Sequence, residues 1–404
     1  MKSVIGLTKA ELLARTKEFY FSLGVQDGAS SLCKANFRYG LAKLHYTQES
    51  LGLTPNATFI STPDETITKN RARWLAGYGY GGKLTWTDKN DPFIIIDAKP
   101  NACGMLVGGL DEMPQPEDII KNINRVINED NYIDDVKIEW DFKKGNHFID
   151  VFKTKAREEG SQLPRYSFII HGSVPELRKE TEKGPGLYYD ASKALFDMCE
   201  KVDTPFGPTY YLEGDNAKEY LQFFQYAKKF AAQKREKAAE LLFGKFKVLS
   251  NPLHQGLISY GDMLLGCQHI TEDPNKIFPV ALRSDLPAYL IKALPNLTSQ
   301  QIGELGFENR AKKWDLMHRL ENFNTFPHGG GYALPHISRV TEVKVIDGER
   351  YFICEQENQD GLAILEDIRE TQFLYRGKVV MNKIDTTSLG KVVAQLNPKF
   401  ILKI

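Results

Sequence analysis

The chain has 404 residues, 42% hydrophobic and 26% charged, with 52 basic side chains against 52 acidic ones. This composition supports a globular core that needs no metal or disulfide staple, and the zero net charge excludes a global polyanion-binding surface, so nucleic acid would need a local basic patch. Five cysteines, odd in number and widely spaced, give no disulfide framework and suit a reducing compartment; with no long apolar core at the start and no run of about 18 apolar residues, a soluble cytoplasmic protein without membrane contact is expected.

Residues 1–90 alternate helical patterns, at 9–23 and 30–44, with glycine-rich loops, and end in WLAGYGYGG, which is too glycine-dense for a regular element. The first firm strand is PFIIIDA, 92–98, whose continuous β-branched run suits burial on both faces; NACGMLVGGL follows at its end. Residues 117–128 read as an amphipathic helix with acidic residues in the first turn. VKIEWDF (136–142) and NHFIDVF (146–152) read as strands joined through KKG as a hairpin, with His147, Ile149 and Val151 on one face. The strand YSFII, 166–170, delivers His171 at its end.

The longest predicted helix covers 215–243, with Asp215 as its N-cap and an apolar stripe through Ala217, Leu221, Phe224, Ala227, Ala231, Ala238 and Leu242. Loops and short elements fill 249–331, then VTEVKVIDGERYFICE (340–355) forms a hairpin around Asp347-Gly348, and KFILKI closes the chain as a strand. The candidate basic patches are 69–74, 228–237 and 309–314, each of which also reads as an ordinary solvated charge run.

Five of the eight histidines sit in short cassettes, each containing a glycine: GNHF (His147), IIHGS (His171), NPLHQG (His254), GCQHI (His269) and FPHGGG (His328). Imidazole binds metals or acts as nucleophile and base near neutral pH, and an adjacent glycine lets backbone approach a phosphate or ion, so a phosphate-handling metal site is the sharp expectation. Against it, each histidine has a bland reading as a satisfied core or loop residue, Cys103 in ACGM as a small buried hydrophobe, and the three glycines after His328 as a flexible turn. Backbone amides in such a glycine turn can instead form an anion-binding nest. His45 and His318 carry no motif, and His336 and His269 are substitutes at most.

The order of these cassettes, CGM, GNHFID, IH before small residues, a long FAxxxR helix, a lone loop histidine, HGGG and a C-terminal strand with a near-terminal lysine, resembles the RtcB family of RNA-splicing ligases from about Thr62 onward. The resemblance implies a mixed α/β fold: one large domain over 1–404 with a buried metal and nucleotide cleft, a divergent helical part at 1–60 and an insertion at 284–325. It implies a GTP-dependent RNA ligase that joins a 3′-phosphate or 2′,3′-cyclic phosphate to a 5′-hydroxyl. By that resemblance His328 is the guanylylated nucleophile, Asn146, Lys403 and the glycines Gly329, Gly330 and Gly331 hold the nucleotide, and Cys103, His147, His171 and His254 bind one or two Mn²⁺ ions. Nitrogen and sulfur donors suit Zn²⁺ equally. The implied partners are RNA ends and GTP, with an activating protein left open and the 228–237 helix forming part of the RNA surface.

The chain departs from the family at several points. The carboxylate of the family's DxxC falls on Pro100, leaving Asp97 as a substitute ligand if the loop bends back. HGAGR is HGGGY here, with Tyr332 in place of arginine and Arg339 out of register; HSGSRG reads HGSVPE, and MPDxH reads TPDET with Thr66 at the histidine position. These changes keep two further readings open: a non-ligating RNA-end binding or regulatory protein, and a metal-dependent cyclic phosphodiesterase.

Overall fold

A computed structural model describes residues 3–157, 162–270, 276–294 and 297–403. It is mixed α/β, as expected. Its largest sheet orders seven strands as Lys247–Ser250, Gly104–Leu110, Tyr166–Gly172, Phe148–Ala156, Gly390–Leu402, Ala288–Ala293 and Ile277–Val280, every neighbouring pair antiparallel. Side chains alternate across such strands, so this sheet faces two cores. Leu106, Ile149, Val151, Phe168 and Ile170 pack with Ala238 and Leu242 of the long helix on one face. Met105, Val107, Ile169, Leu290 and Leu396 form the other.

Register decides where the site lies. Met105 and Phe148 both pair with His171, and Gly104 pairs with Gly172. Cys103 and His147 immediately precede their strands while His171 is near the end of its own, so the antiparallel arrangement brings all three to one end of three adjacent strands.

A second sheet of five strands runs Tyr20–Phe21, Thr58–Thr66, Tyr80–Thr85, Asp262–Leu265 and Gln255–Leu257. In Thr58–Thr66 the register shifts between Ser61 and Thr66, an irregularity of the kind that re-aims side chains. Asp64 sits in that shifted stretch. The Gly28–Ser50 helix starts at Asp27, whose side chain caps the Ser30 amide.

Several expectations are corrected. The WLAGYGYGG stretch is regular at both ends: a helix at Arg71–Leu75 and a strand from Tyr80, where Gly81 and Gly82 lie so close to the Thr58–Thr66 strand that a Cβ on either would fall under 3 Å from its backbone. No KKG hairpin forms. Val136–Lys137 pairs with Tyr132–Ile133 instead, and the chain after it turns so that Lys144 and His147 donate their amides to Asp141 and Lys144 carbonyls. The long helix is Gly214–Phe243, preceded by Glu213 as N-cap in place of Asp215. The 284–325 segment, of which 295 and 296 lie outside the described residues, is built into the fold: Ala288–Ala293 is an inner strand of the seven, and Ile302, Phe307, Leu316 and Leu320 join the main core. The C-terminal hairpin forms as expected, Ile337–Ile346 against Glu349–Gln356, with Asp347 and Gly348 both at positive φ (52° and 88°) as a tight two-residue turn requires.

The sheet's packing is testable at Gly108, where an added Cβ would stand 2.0 Å from Cζ of the fully buried Phe168 ring. Gly108→Ala is expected to cost about 1–3 kcal/mol by overpacking. Gly303→Ala, in the Ser299–Glu304 helix with its nearest neighbour atom at 3.8 Å, is expected to be neutral or stabilising. Thermal melts that rank the two variants the other way would refute this packing.

Candidate metal centre and its cavity

Cys103, His171 and His254 converge: one donor atom from each lies within 4.8 Å of the others, and all three residues are buried. Cys103 Sγ is 3.1 Å from His171 Nε2, which is 3.2 Å from His254 Nε2. His147 Nε2 stands further out, 3.8 Å from the same sulfur. His254 reaches this end through backbone, donating its amide to the Cys103 carbonyl while Met105 donates to Pro252, so the NPLHQG loop runs alongside the start of the Gly104–Leu110 strand.

Each ring is oriented from behind. His171 Nδ1 donates to the Asn146 carbonyl (3.0 Å), which leaves Nε2 as a lone pair toward the sulfur. His147 Nδ1 faces both the carbonyl and the carboxylate of Asp141 (3.0 Å each). Asp141 is itself bound by the amide and hydroxyl of Ser173 and by the buried ammonium of Lys234, which also donates to the carbonyls of Glu139 and Ser173 and pairs with Glu176.

The electrostatics suit ligation. Burial alone would raise the Cys103 thiol, but the neighbouring His171 and His254 and a hydrogen bond from His147 bring it well below the ordinary thiol range. Burial brings His254 down to about 3, so it is neutral with a free lone pair. Despite burial, His147 is raised to about 10 by the Asp141 carboxylate and Cys103. A buried thiolate with the neutral imidazole of His254 and the Nε2 of His171 is a donor set that could hold a metal ion.

His328 stacks on His254 with ring centroids 4.4 Å apart and 28° between planes. Its Nδ1 lies 2.8 Å from the carboxylate of Asp64, which also accepts the amides of His328 (3.1 Å) and Gly329 (3.2 Å) and the hydroxyl of Thr62. Asp64 is 1% exposed. The Gly330 amide donates to Ala281, so the amides of 328–330 are spent on the protein and form no open nest for phosphate. The glycines serve close approach instead: a Cβ would lie 2.6 Å from the Ala281 carbonyl oxygen at Gly329, 2.4 Å from that of Arg376 at Gly330, and 2.4 Å from that of Asp64 at Gly331, where φ is also +63°.

Of these groups His171 and His328 line a cavity of about 680 Å³, which they share with Asn146, Gly329, Gly330, Gly331 and Lys403. Lys403 Nζ donates to the Gly145 and His147 carbonyls, 2.8 Å each. Beside it Asp150 is buried with Oδ1 unpartnered, and burial pushes its carboxyl up to about 7 against the pull of Lys403.

Asp97 is not in this group. Its carboxylate takes the buried Lys43 ammonium at 2.9 Å and the Tyr78 hydroxyl at 3.0 Å, because the loop does not bend back. Within the 228–237 run Lys234 and Arg235 turn inward, 4% and 3% exposed, while Lys228 and Lys229 are exposed. Arg339 pairs with Glu355 at the surface, whereas Arg376 lies buried beneath the glycine loop, held by Asp27 at 2.6 and 2.7 Å. His269 and His336 stay outside the cluster. Sequence reasoning missed Asp64, Asp141, Asp150 and Arg376; the signals were the Pro-Asp of TPDET and the acidic end of GNHFID.

No protein-family model matches the chain, and neither does any curated protein.

Two outcomes are expected. The protein binds Co²⁺ with a thiolate charge-transfer absorption that Cys103→Ser abolishes, and Asp141→Asn weakens binding about 10- to 100-fold; unchanged affinity in both variants would refute the centre. Separately, the folded-state value of Asp150 near 7 lies above its ordinary 3.8, so its protonated form favours folding below about pH 4 and that contribution is lost as pH rises to about 7. Asp150→Asn should remove this decline from the stability profile measured in urea, and an identical slope in wild type and variant would show the carboxyl is not so held.

Proposed function

We propose that the chain is an RtcB-like, metal-dependent nucleotidyl transferase that joins RNA 3′-phosphate or 2′,3′-cyclic phosphate ends to 5′-hydroxyls with GTP, His328 being the residue guanylylated. One observation carries this reading: the imidazole of His328 is stacked on His254 of the thiolate-imidazole cluster, with Nδ1 2.8 Å from the Asp64 carboxylate, at the wall of a cavity. A carboxylate beside Nδ1 favours the tautomer in which Nδ1 carries the proton and Nε2 the lone pair, the arrangement a neutral histidine nucleophile needs.

In the proposed step Nε2 attacks the α-phosphorus of GTP, the new N–P bond replaces the bond to the bridging oxygen, and pyrophosphate leaves with its electron pair. Asp64 balances the positive charge that develops on the ring. A divalent ion at Cys103, His171 and His254, either Mn²⁺ or Zn²⁺, would neutralise phosphate charge there. Asp150 and Lys403 offer adjoining acidic and cationic groups to the edge of a base, and Asn146 adds an amide. The domain reading, with its buried metal and nucleotide cleft, belongs to the same proposal.

Two observations favour a second reading, a non-ligating RNA-end binder: the occupied amides of the glycine loop and Asp97 standing away from the cluster. Incubation with α-phosphate-labelled GTP and Mn²⁺ or Zn²⁺ separates the two. Wild type is expected to acquire acid-labile label, His328→Ala none, and Asp64→Asn label at a rate lower by about 10²-fold or more. Label that persists in His328→Ala overturns the assigned nucleophile, and an unlabelled wild type that still binds RNA ends supports the second reading.

A further inference from the structure

Tyr332 replaces the arginine that the HGAGR pattern carries, and its surroundings give that change a meaning. The two-residue strand Tyr332–Ala333 pairs with Leu374–Tyr375, Tyr332 directly opposite Tyr375. Directly opposed residues share a face, and residue 373 falls on the same face as 375 by the two-residue period. Three rings therefore gather there: Tyr332 and Phe373 have centroids 4.7 Å apart at 76°, Tyr332 and Tyr375 5.2 Å apart at 36°. All three line the cavity that holds His328, and none is fully buried.

The wall is anchored and charged. Thr66 donates its hydroxyl to the Tyr332 carbonyl at 2.8 Å, and Arg376 donates its amide to the Gly331 carbonyl, so the rings are fixed to the loop that carries the proposed nucleophile. The Lys69 ammonium stands 3.7 Å from the centre of the Phe373 ring. Asp150 and Lys403, the groups suited to a base edge, belong to a different wall, the Phe148–Ala156 and Gly390–Leu402 side of the cavity. One cavity thus offers a polar base-edge site on one wall and a ring surface with a cation on another.

We infer that the Tyr332–Phe373–Tyr375 wall stacks the unpaired terminal base of an RNA strand whose 3′-phosphate lies toward His328, with Lys69 facing its backbone phosphate. The inference rests on the RNA-end reading above and deepens it. Rings beside a cation are the usual composition of single-strand sites, because every base has a π-face while the cation meets the backbone. An arginine at this position would bind phosphate oxygens in a bidentate fork; a tyrosine trades that contact for recognition of the base.

The test uses the full chain without GTP and short oligoribonucleotides ending in 3′-phosphate, one with 2-aminopurine as its last base and one abasic at that nucleoside. Wild type should bind the first about 10-fold more tightly and quench its fluorescence, as loss of one stacked base predicts. In the Tyr332→Ala/Phe373→Ala double variant the two strands should bind equally and the quenching should vanish, while Phe373→Trp restores both and shows that the wall still folds. Lys69→Ala should weaken both strands alike. Equal binding of the two strands by wild type overturns the inference, as does full discrimination in the double variant, or a double variant that loses GTP affinity with RNA discrimination intact. Failure of wild type to bind either strand overturns this inference and the RNA-end reading together. Absence of GTP labelling with the terminal-base effect intact sinks the ligase reading alone.

Discussion

The arrangement of the cavity depends on one buried carboxylate. Asp64 draws together two parts of the chain separated by more than 260 positions, accepting the amides of His328 and Gly329 while facing the ring of His328. A carboxylate at 1% exposure is costly unless its oxygens are satisfied, and here the Thr62 hydroxyl and two amides satisfy them. The shifted register that exposes Asp64 to this loop and the glycines that let the loop approach are parts of one solution. A longer side chain on the loop would push His328 off the carboxylate and off His254. The same loop is held from its other side by Arg376, which hydrogen-bonds Asp27 while Asp27 caps the Gly28–Ser50 helix. The proposed nucleophile is therefore mounted on a helix cap and a strand irregularity, both of them rigid.

The thiolate-imidazole cluster has a different origin, sheet register. Three adjacent antiparallel strands must present alternate ends, so a residue before one strand, a residue before another and a residue near the end of the strand between them come together without a dedicated loop. Groups behind the cluster then set the rings: a backbone carbonyl behind His171, a carboxylate behind His147. Lys234 is the keystone there, since one buried ammonium meets two carboxylates and two carbonyls. Removing it would strand buried charge, whereas a solvated lysine would matter little.

How much of this was legible follows from how local each signal is. Cys103, His147, His171 and His254 are readable because each sits where a β-pattern starts or stops, or in a turn beside a glycine, and such positions are where function collects. The long helix and the Asp-Gly hairpin are readable because their periods and turn chemistry are contained in one stretch. Asp64 is not, because its partner lies at the far end of the chain and its immediate neighbours suggest only a displaced histidine at Thr66. Lys234 is misread for the opposite reason: within KKFAAQKREK it looks like one charge among many, and only packing against Asp141 and Glu176 distinguishes it. Arg376 shows the same limit, since linear proximity favours Arg339 while the fold supplies an arginine from beneath the loop.

Charge balance connects the two halves of the site. Cys103 as thiolate, Asp64, Asp141 and Glu176 are four buried or nearly buried anions, and Lys234, Arg235, Arg73 and Lys403 are four cations around the same centre and cavity. With His147 protonated as well, these groups sum to one net positive charge. A divalent ion on the cluster would add two more in a low-dielectric setting, where such an excess acts strongly on an incoming anion. Since the amides of the glycine loop are already bonded to Asp64 and Ala281, that excess, with Lys69 and Lys403, is the attraction available to a phosphate. Asp97 bears on the same balance: placed on the cluster, a further carboxylate would cancel half of the ion's charge, whereas paired with Lys43 it leaves a softer, more cationic centre. Under the proposed function, a site so built would hold phosphate through charge and select its ligand through ring surfaces and base edges, at the cavity walls that carry Tyr332, Phe373 and Asp150.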